Sequence, residues 1–176
     1  MNENNPFSPP TVQVAQTHEP ESERLAGIQG WLLLVGLGIV VSPLRIIVEV
    51  LPTYLKLFAD GSWQALTTPG GAAYHPLWMP YLLIEMIVNA GLVVVWVWIA
   101  TRFFTRKRNF PRLYIGVLTF TIAFQFLDAW GITMVRPGET VFDPDTVKEL
   151  SRSVVSAIIW IPYMLRSKRV RATFTR

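Results

Sequence analysis

Four long apolar blocks dominate this sequence, at about residues 28–50, 77–101, 112–135 and 150–166. A helix needs about 20 apolar residues to cross the hydrocarbon of a bilayer, and the first three blocks reach that length unaided. The fourth is apolar only from about Ser153 to Leu165, so its helix has to begin earlier, in polar sequence. Asp143-Pro144 supplies a start, with aspartate as N-cap and proline at the first helical position. From Pro144 to Arg166 the helix would be roughly 34 Å long at about 1.5 Å per residue, and its first two turns are expected to project out of the membrane. The expected fold is all-α, an integral membrane four-helix bundle over residues 27–167. Bulk composition agrees, with 51% hydrophobic and 16% charged residues.

Charge sets the expected orientation. Arg102, Arg106, Lys107, Arg108 and Arg112 crowd the link between the second and third blocks, and Arg166, Lys168, Arg169, Arg171 and Arg176 follow the fourth. The other two links carry only Lys56, Arg136 and Lys148. The positive-inside rule places the basic link and the C-terminus in the cytoplasm and, with four spans, the N-terminus as well. The net charge of +4 then reflects topology and attraction to anionic headgroups, and no nucleic-acid partner is expected. Residues 1–26 read as a disordered cytoplasmic tail, with Glu3, Glu19, Glu21 and Glu23 against Arg24 and several prolines. Residues 168–176 read as a basic cytoplasmic tail.

The inner ends carry aromatic anchors. Trp31 opens the first span, and Trp160 and Tyr163 bracket Pro162 near the end of the fourth, ahead of Arg166, Lys168 and Arg169. Such residues sit at headgroup level. Gly30, Gly36 and Gly38 would let a neighbouring helix approach closely. Ser42-Pro43 is expected to kink the first span. In the first outer link, Leu51, Tyr54, Leu55 and Phe58 recur at helical spacing before Asp60-Gly61, which predicts a short interfacial helix.

Ionisable residues inside the spans carry most of the functional information. Arg45, Glu49, Glu85, Asp128 and Arg152 all count to the outer half, and each span has one polar stripe. Ser42, Arg45 and Glu49 form the first, Glu85 and Asn89 the second, and Thr121, Gln125 and Asp128 the third. The fourth comprises Asp145, Lys148, Glu149, Arg152 and Ser156. A charge facing lipid costs at least about 2.5 kcal/mol, so all four stripes are expected to turn inward, with Arg45 and Arg152 as partners of Glu49, Glu85 and Asp128. Two cations against three carboxylates leave one carboxyl to be protonated or a bound cation to share the site, with Glu85 the candidate. The cluster reads either as a satisfied polar core or as a vestibule for a proton, cation or small polar ligand.

Catalytic signatures are missing. There is no cysteine. His18 and His75 have no partner at metal-ligand spacing, and no nucleophile elbow, P-loop or dinucleotide fingerprint occurs. No enzyme, cofactor or metal is expected.

Two segments, Gly27-Ile28-Gln29-Gly30-Trp31-Leu32 with Ser42-Pro43-Leu44-Arg45, and Ile159 through Phe174, resemble the YdgK-like family of small bacterial inner-membrane proteins. The resemblance runs from about Gly27 to Phe174. It implies four spans and a bacterial plasma-membrane location and brings no activity, because the family has no assigned function. Ala172-Thr173-Phe174 reads as a topological anchor or a partner-docking tail. The functional expectation is a non-enzymatic accessory or assembly protein whose partners are membrane lipids and another membrane protein. The alternative is a small carrier or sensor that uses the intramembrane cluster.

Overall fold

The computed structural model describes residues 26–71, 73–136, 138 and 140–176, so the acidic N-terminal segment, apart from Ala26, lies outside the described residues. Among the described residues six helices follow in order: α1 Trp31–Ala59, α2 Ser62–Thr67, α3 Trp78–Phe104, α4 Phe110–Val135, α5 Pro144–Arg166 and α6 Lys168–Thr173. No strand occurs among the described residues. Three helices, α1, α3 and α4, are long and apolar enough to cross a membrane. The fourth long helix, α5, has 23 residues and is too polar in its first half to meet the same measure.

The first helix is longer than its apolar block. It runs 29 residues, about 43 Å, and includes both Pro43 and Pro52. The Ser42 hydroxyl donates to the Gly38 carbonyl oxygen at 2.7 Å, one turn back. Leu51, Tyr54, Leu55 and Phe58 therefore continue α1 and do not form a separate interfacial helix. That extension is stabilised by tertiary packing, because Leu57 joins Trp63 and Leu66 of the short α2 against Trp78, Leu82 and Val135. The link does contain a short helix, but later, at Ser62–Thr67.

Neighbouring helices pack as a row, α1 on α3, α3 on α4 and α4 on α5. One core sits at the end where the basic residues gather, called the basic end below. Leu32, Ile39, Ile99, Phe103 and Phe110 are each 0% exposed there. Gly36 permits this packing, because a Cβ at that position would stand 2.9 Å from the Phe103 ring. Gly38 faces open space. The outward surface is apolar, with Val48, Ile87, Val94 and Ile158 all more than 65% exposed. A face of that extent suits lipid and not water.

The segment after α5 is no free tail. Ser167 caps α6 by accepting from the Val170 amide, Val170 and Phe174 are buried, and Phe174 stacks on Phe110 at 4.5 Å between ring centroids. Thr173 is 3% exposed. Its hydroxyl accepts from the Gly27 amide and donates to the Gly27 carbonyl, both at 3.1 Å. Ala172-Thr173-Phe174 thus docks on the chain's own body.

Candidate functional site

The Asp143 carboxylate builds the start of α5. It accepts from the amides of Asp145 at 2.9 Å and Thr146 at 3.1 Å and from the Thr146 hydroxyl. The Thr146 hydroxyl, with the amides, holds this carboxyl below its ordinary value. The start of α5 is set back from the far end of α4. Phe142, just before α5, contacts Phe126, which lies nine residues before the end of α4 at Val135. That is roughly 13 Å short of the far end of α4. The polar half of α5 consequently stands beside the middle of the other helices.

This placement creates a cavity of about 480 Å³ whose lining comes from all four long helices. Arg45, Glu49, Glu85, Asn89, Gln125, Asp128 and Arg152, the seven cluster residues expected from sequence, all line it. So does Glu149, which lies on the α5 stripe three residues before Arg152 and joins the expected cluster. The anticipated pairing is only partly present. Arg45 Nε contacts Glu49 at 2.7 Å, and Arg45 Nη2 contacts Glu149 at 2.7 Å. Glu85, Asp128 and Arg152 make no ion pair within 4.0 Å among the described residues. Arg45 stands at the midpoint of α1, because the helix continues past Val50.

The cavity therefore has two unlike walls. One is ionic and follows the line where α1 and α5 meet. Those two helices do not pack side by side along their length, and side chains bridge the seam: Arg45 to Glu149, and Trp31 edge-on to Trp160 at 6.2 Å nearer the basic end. The other wall, on α3 and α4, carries the carboxyls of Glu85 and Asp128. The Tyr54 hydroxyl faces Glu85, and that of Tyr81 faces Asp128. Asn89 donates to the Tyr54 hydroxyl at 3.2 Å and to the Glu85 carbonyl at 3.0 Å. Gly131 gives the Tyr81 ring its room, since a Cβ there would lie 3.0 Å from it.

Sequence reasoning missed both tyrosines. Tyr81 precedes Glu85 by one turn and shares its face, so spacing alone could have found it. Tyr54 was hidden by its assignment to a separate helix. Toward the basic end the cavity floor is apolar, formed by Leu92, Trp96 and Leu118. Gln125 Oε1 and Thr121 Oγ1 are buried with no hydrogen-bond partner.

The anchor residues lie at the basic end, away from the cavity. Trp160 packs edge-on against Tyr163 at 5.9 Å. Arg166 and Lys168 are exposed and Arg169 is half-buried. Among the described residues no group of three or more His, Cys, Asp or Glu could hold a metal ion.

Apolar helices of spanning length, an apolar outward face and a polar interior define an all-helical integral membrane protein. Residues 25–175 match the family described as "Protein of unknown function (DUF2569)", and the chain belongs to that family. It is 30% identical over 154 residues to "Inner membrane protein YdgK" of Escherichia coli (strain K12), across 84% of this chain and 92% of that protein. No solved structure matches.

Proposed function

We propose that this chain is a four-span bacterial inner-membrane protein with both termini in the cytoplasm. We infer further that it is a non-enzymatic carrier or sensor, binding a small polar or cationic ligand in the cavity among its helices. The fourth span is α5, whose exposed Val155, Ile158, Ile159 and Leu165 give it an apolar outward face. The basic residues at one end supply the orientation, and the relative's printed name supports the location.

One observation carries the binding reading: Glu85 and Asp128 line a hollow of about 480 Å³ and neither is paired with a cation. A structural polar core would close such carboxyls with arginines, since buried charges are paired where they serve stability. The lining holds no histidine, lysine or cysteine, so no thiolate or amine nucleophile accompanies its carboxyls.

Purified protein tests this reading through thermal unfolding in detergent. The variant Glu85→Gln with Asp128→Asn is expected to keep or raise the Tm, because binding sites trade stability for function. A large loss of Tm or of the fold would return the cluster to a structural role and favour an accessory or assembly protein. Because the chain has no cysteine, single introduced cysteines test orientation cleanly. Ser62→Cys should react with an impermeant maleimide in intact cells, and Thr105→Cys only after permeabilisation. The reverse pattern would invert the topology.

A further inference from the structure

We propose that the ligand of this cavity is an amphiphilic primary ammonium ion, its head between Glu85 and Asp128 and its apolar part directed toward Trp96. The inference rests on the reading that the cavity binds a ligand and names that ligand's chemistry.

Charge comes first. The lining contains two arginines and four carboxyls, so two negative charges are left over when all four carboxyls are ionised. Arg45 is occupied at the seam by Glu49 and Glu149, and Arg152, on the same wall, makes no ion pair. The excess belongs to Glu85 and Asp128. These are acceptors when ionised, set on one wall of the cavity beside the Tyr54 and Tyr81 hydroxyls. An ammonium head offers three donors and no acceptor, which matches that set.

Size excludes a bare metal ion as the natural fit. Calcium takes six to eight oxygens at about 2.3–2.6 Å, and magnesium is more demanding, whereas about 480 Å³ falls in the range of roughly 300–1,000 Å³ typical of small-molecule sites. The lower part of the cavity is apolar. Leu92 is 7% exposed and Trp96 is 6% exposed, and Leu118 lines the same region. Glu85 and Trp96 are eleven residues apart on one helix, about 16 Å along its axis. The site is therefore long enough for a head at one end and an alkyl or aryl group at the other, and the Trp96 face can also attract a cation.

The chemistry is shared by free amines and by the ethanolamine headgroup of a phospholipid. Calorimetric titration of the purified full chain in detergent at pH 7 would use hexylamine, methylamine, hexanol, hexanoate, sodium chloride and magnesium chloride. Hexylammonium should bind saturably and methylammonium at least tenfold more weakly, and hexanol and hexanoate should not bind. Glu85→Gln and Asp128→Asn should each weaken hexylammonium at least tenfold, with Tm and monodispersity confirming that each variant is folded. Trp96→Leu, checked for folding by the same two measures, should reduce the preference for hexylammonium over methylammonium. Nanodiscs of phosphatidylglycerol with and without phosphatidylethanolamine separate the sources. Competition by the ethanolamine lipid assigns the ammonium to a headgroup, and its absence assigns it to a free amine.

Equal binding of hexanol, or displacement of hexylammonium by millimolar sodium or magnesium, would overturn the ammonium proposal while leaving a ligand cavity. No binding by any probe would overturn it as well. Only a collapse of stability in the double carboxyl variant would also remove the binding function.

Discussion

Arg45, at the middle of α1, holds Glu49 on its own helix and Glu149 across the seam on α5, each at 2.7 Å. It is the ionic bridge between two helices that otherwise barely pack. Arg45→Gln would free both carboxylates beside Arg152, whereas Glu149→Gln removes only one arm. Thermal unfolding should show the larger loss for Arg45→Gln. Because Glu149 is about half exposed, a double-mutant cycle on the Arg45–Glu149 pair should give a modest coupling, roughly 0.5–1 kcal/mol.

Gly36 and Gly38 are two residues apart and should respond differently. Gly36→Ala places a methyl group against the fully buried Phe103 ring, which is itself packed on Phe110 and Phe174. Overpacking of this kind costs about 1–3 kcal/mol. Gly38→Ala meets open space and should leave the Tm unchanged. Equal Tm values for the two variants would contradict the packing described at the basic end.

Thr173→Val keeps the shape of a buried side chain and removes its hydroxyl. The Gly27 amide then loses its partner, a loss of about 1–3 kcal/mol for an unsatisfied buried donor. Hydrogen exchange should show the Gly27 amide deprotected while the centre of α3 is unaffected.

The Asp143 cap makes a pH prediction. Its carboxyl is held below the ordinary aspartate value of 3.8, so the cap contributes fully above that value and is lost as pH falls through the lowered one. Exchange protection of the Asp145 and Thr146 amides should stay constant from pH 7 to 5, after correction for intrinsic rates, and fail only in stronger acid. Loss of protection near pH 5 would show that the carboxylate does not hold these amides.

The parts of this fold that were legible in the sequence are those set by local chemistry. Hydrophobic length defined three spanning helices, Asp143-Pro144 located the start of α5, and helical spacing brought seven polar residues to one cavity. Partner choice was not legible. Arg45 pairs with Glu149, and not with Glu85 or Asp128, because of the relative depth of α1 and α5. That depth depends on Leu57 packing with Trp63 and Trp78 and on Phe142 meeting Phe126. Both are tertiary contacts with no periodic trace. The same extension of α1 brought Tyr54 to Glu85 and turned an expected interfacial helix into the last two turns of a span.

The latch between Gly27 and Thr173 joins positions 146 apart in the chain. During synthesis the first span enters the bilayer long before residue 173 has left the ribosome. Until then Gly27 lacks its partner, and Phe103 and Phe110 lack Phe174. The basic end can close only after residues 167–174 have been made. Nascent chains halted before Thr173 should therefore be inserted yet remain open to membrane quality-control proteases, which couples closure of this end to the order of synthesis.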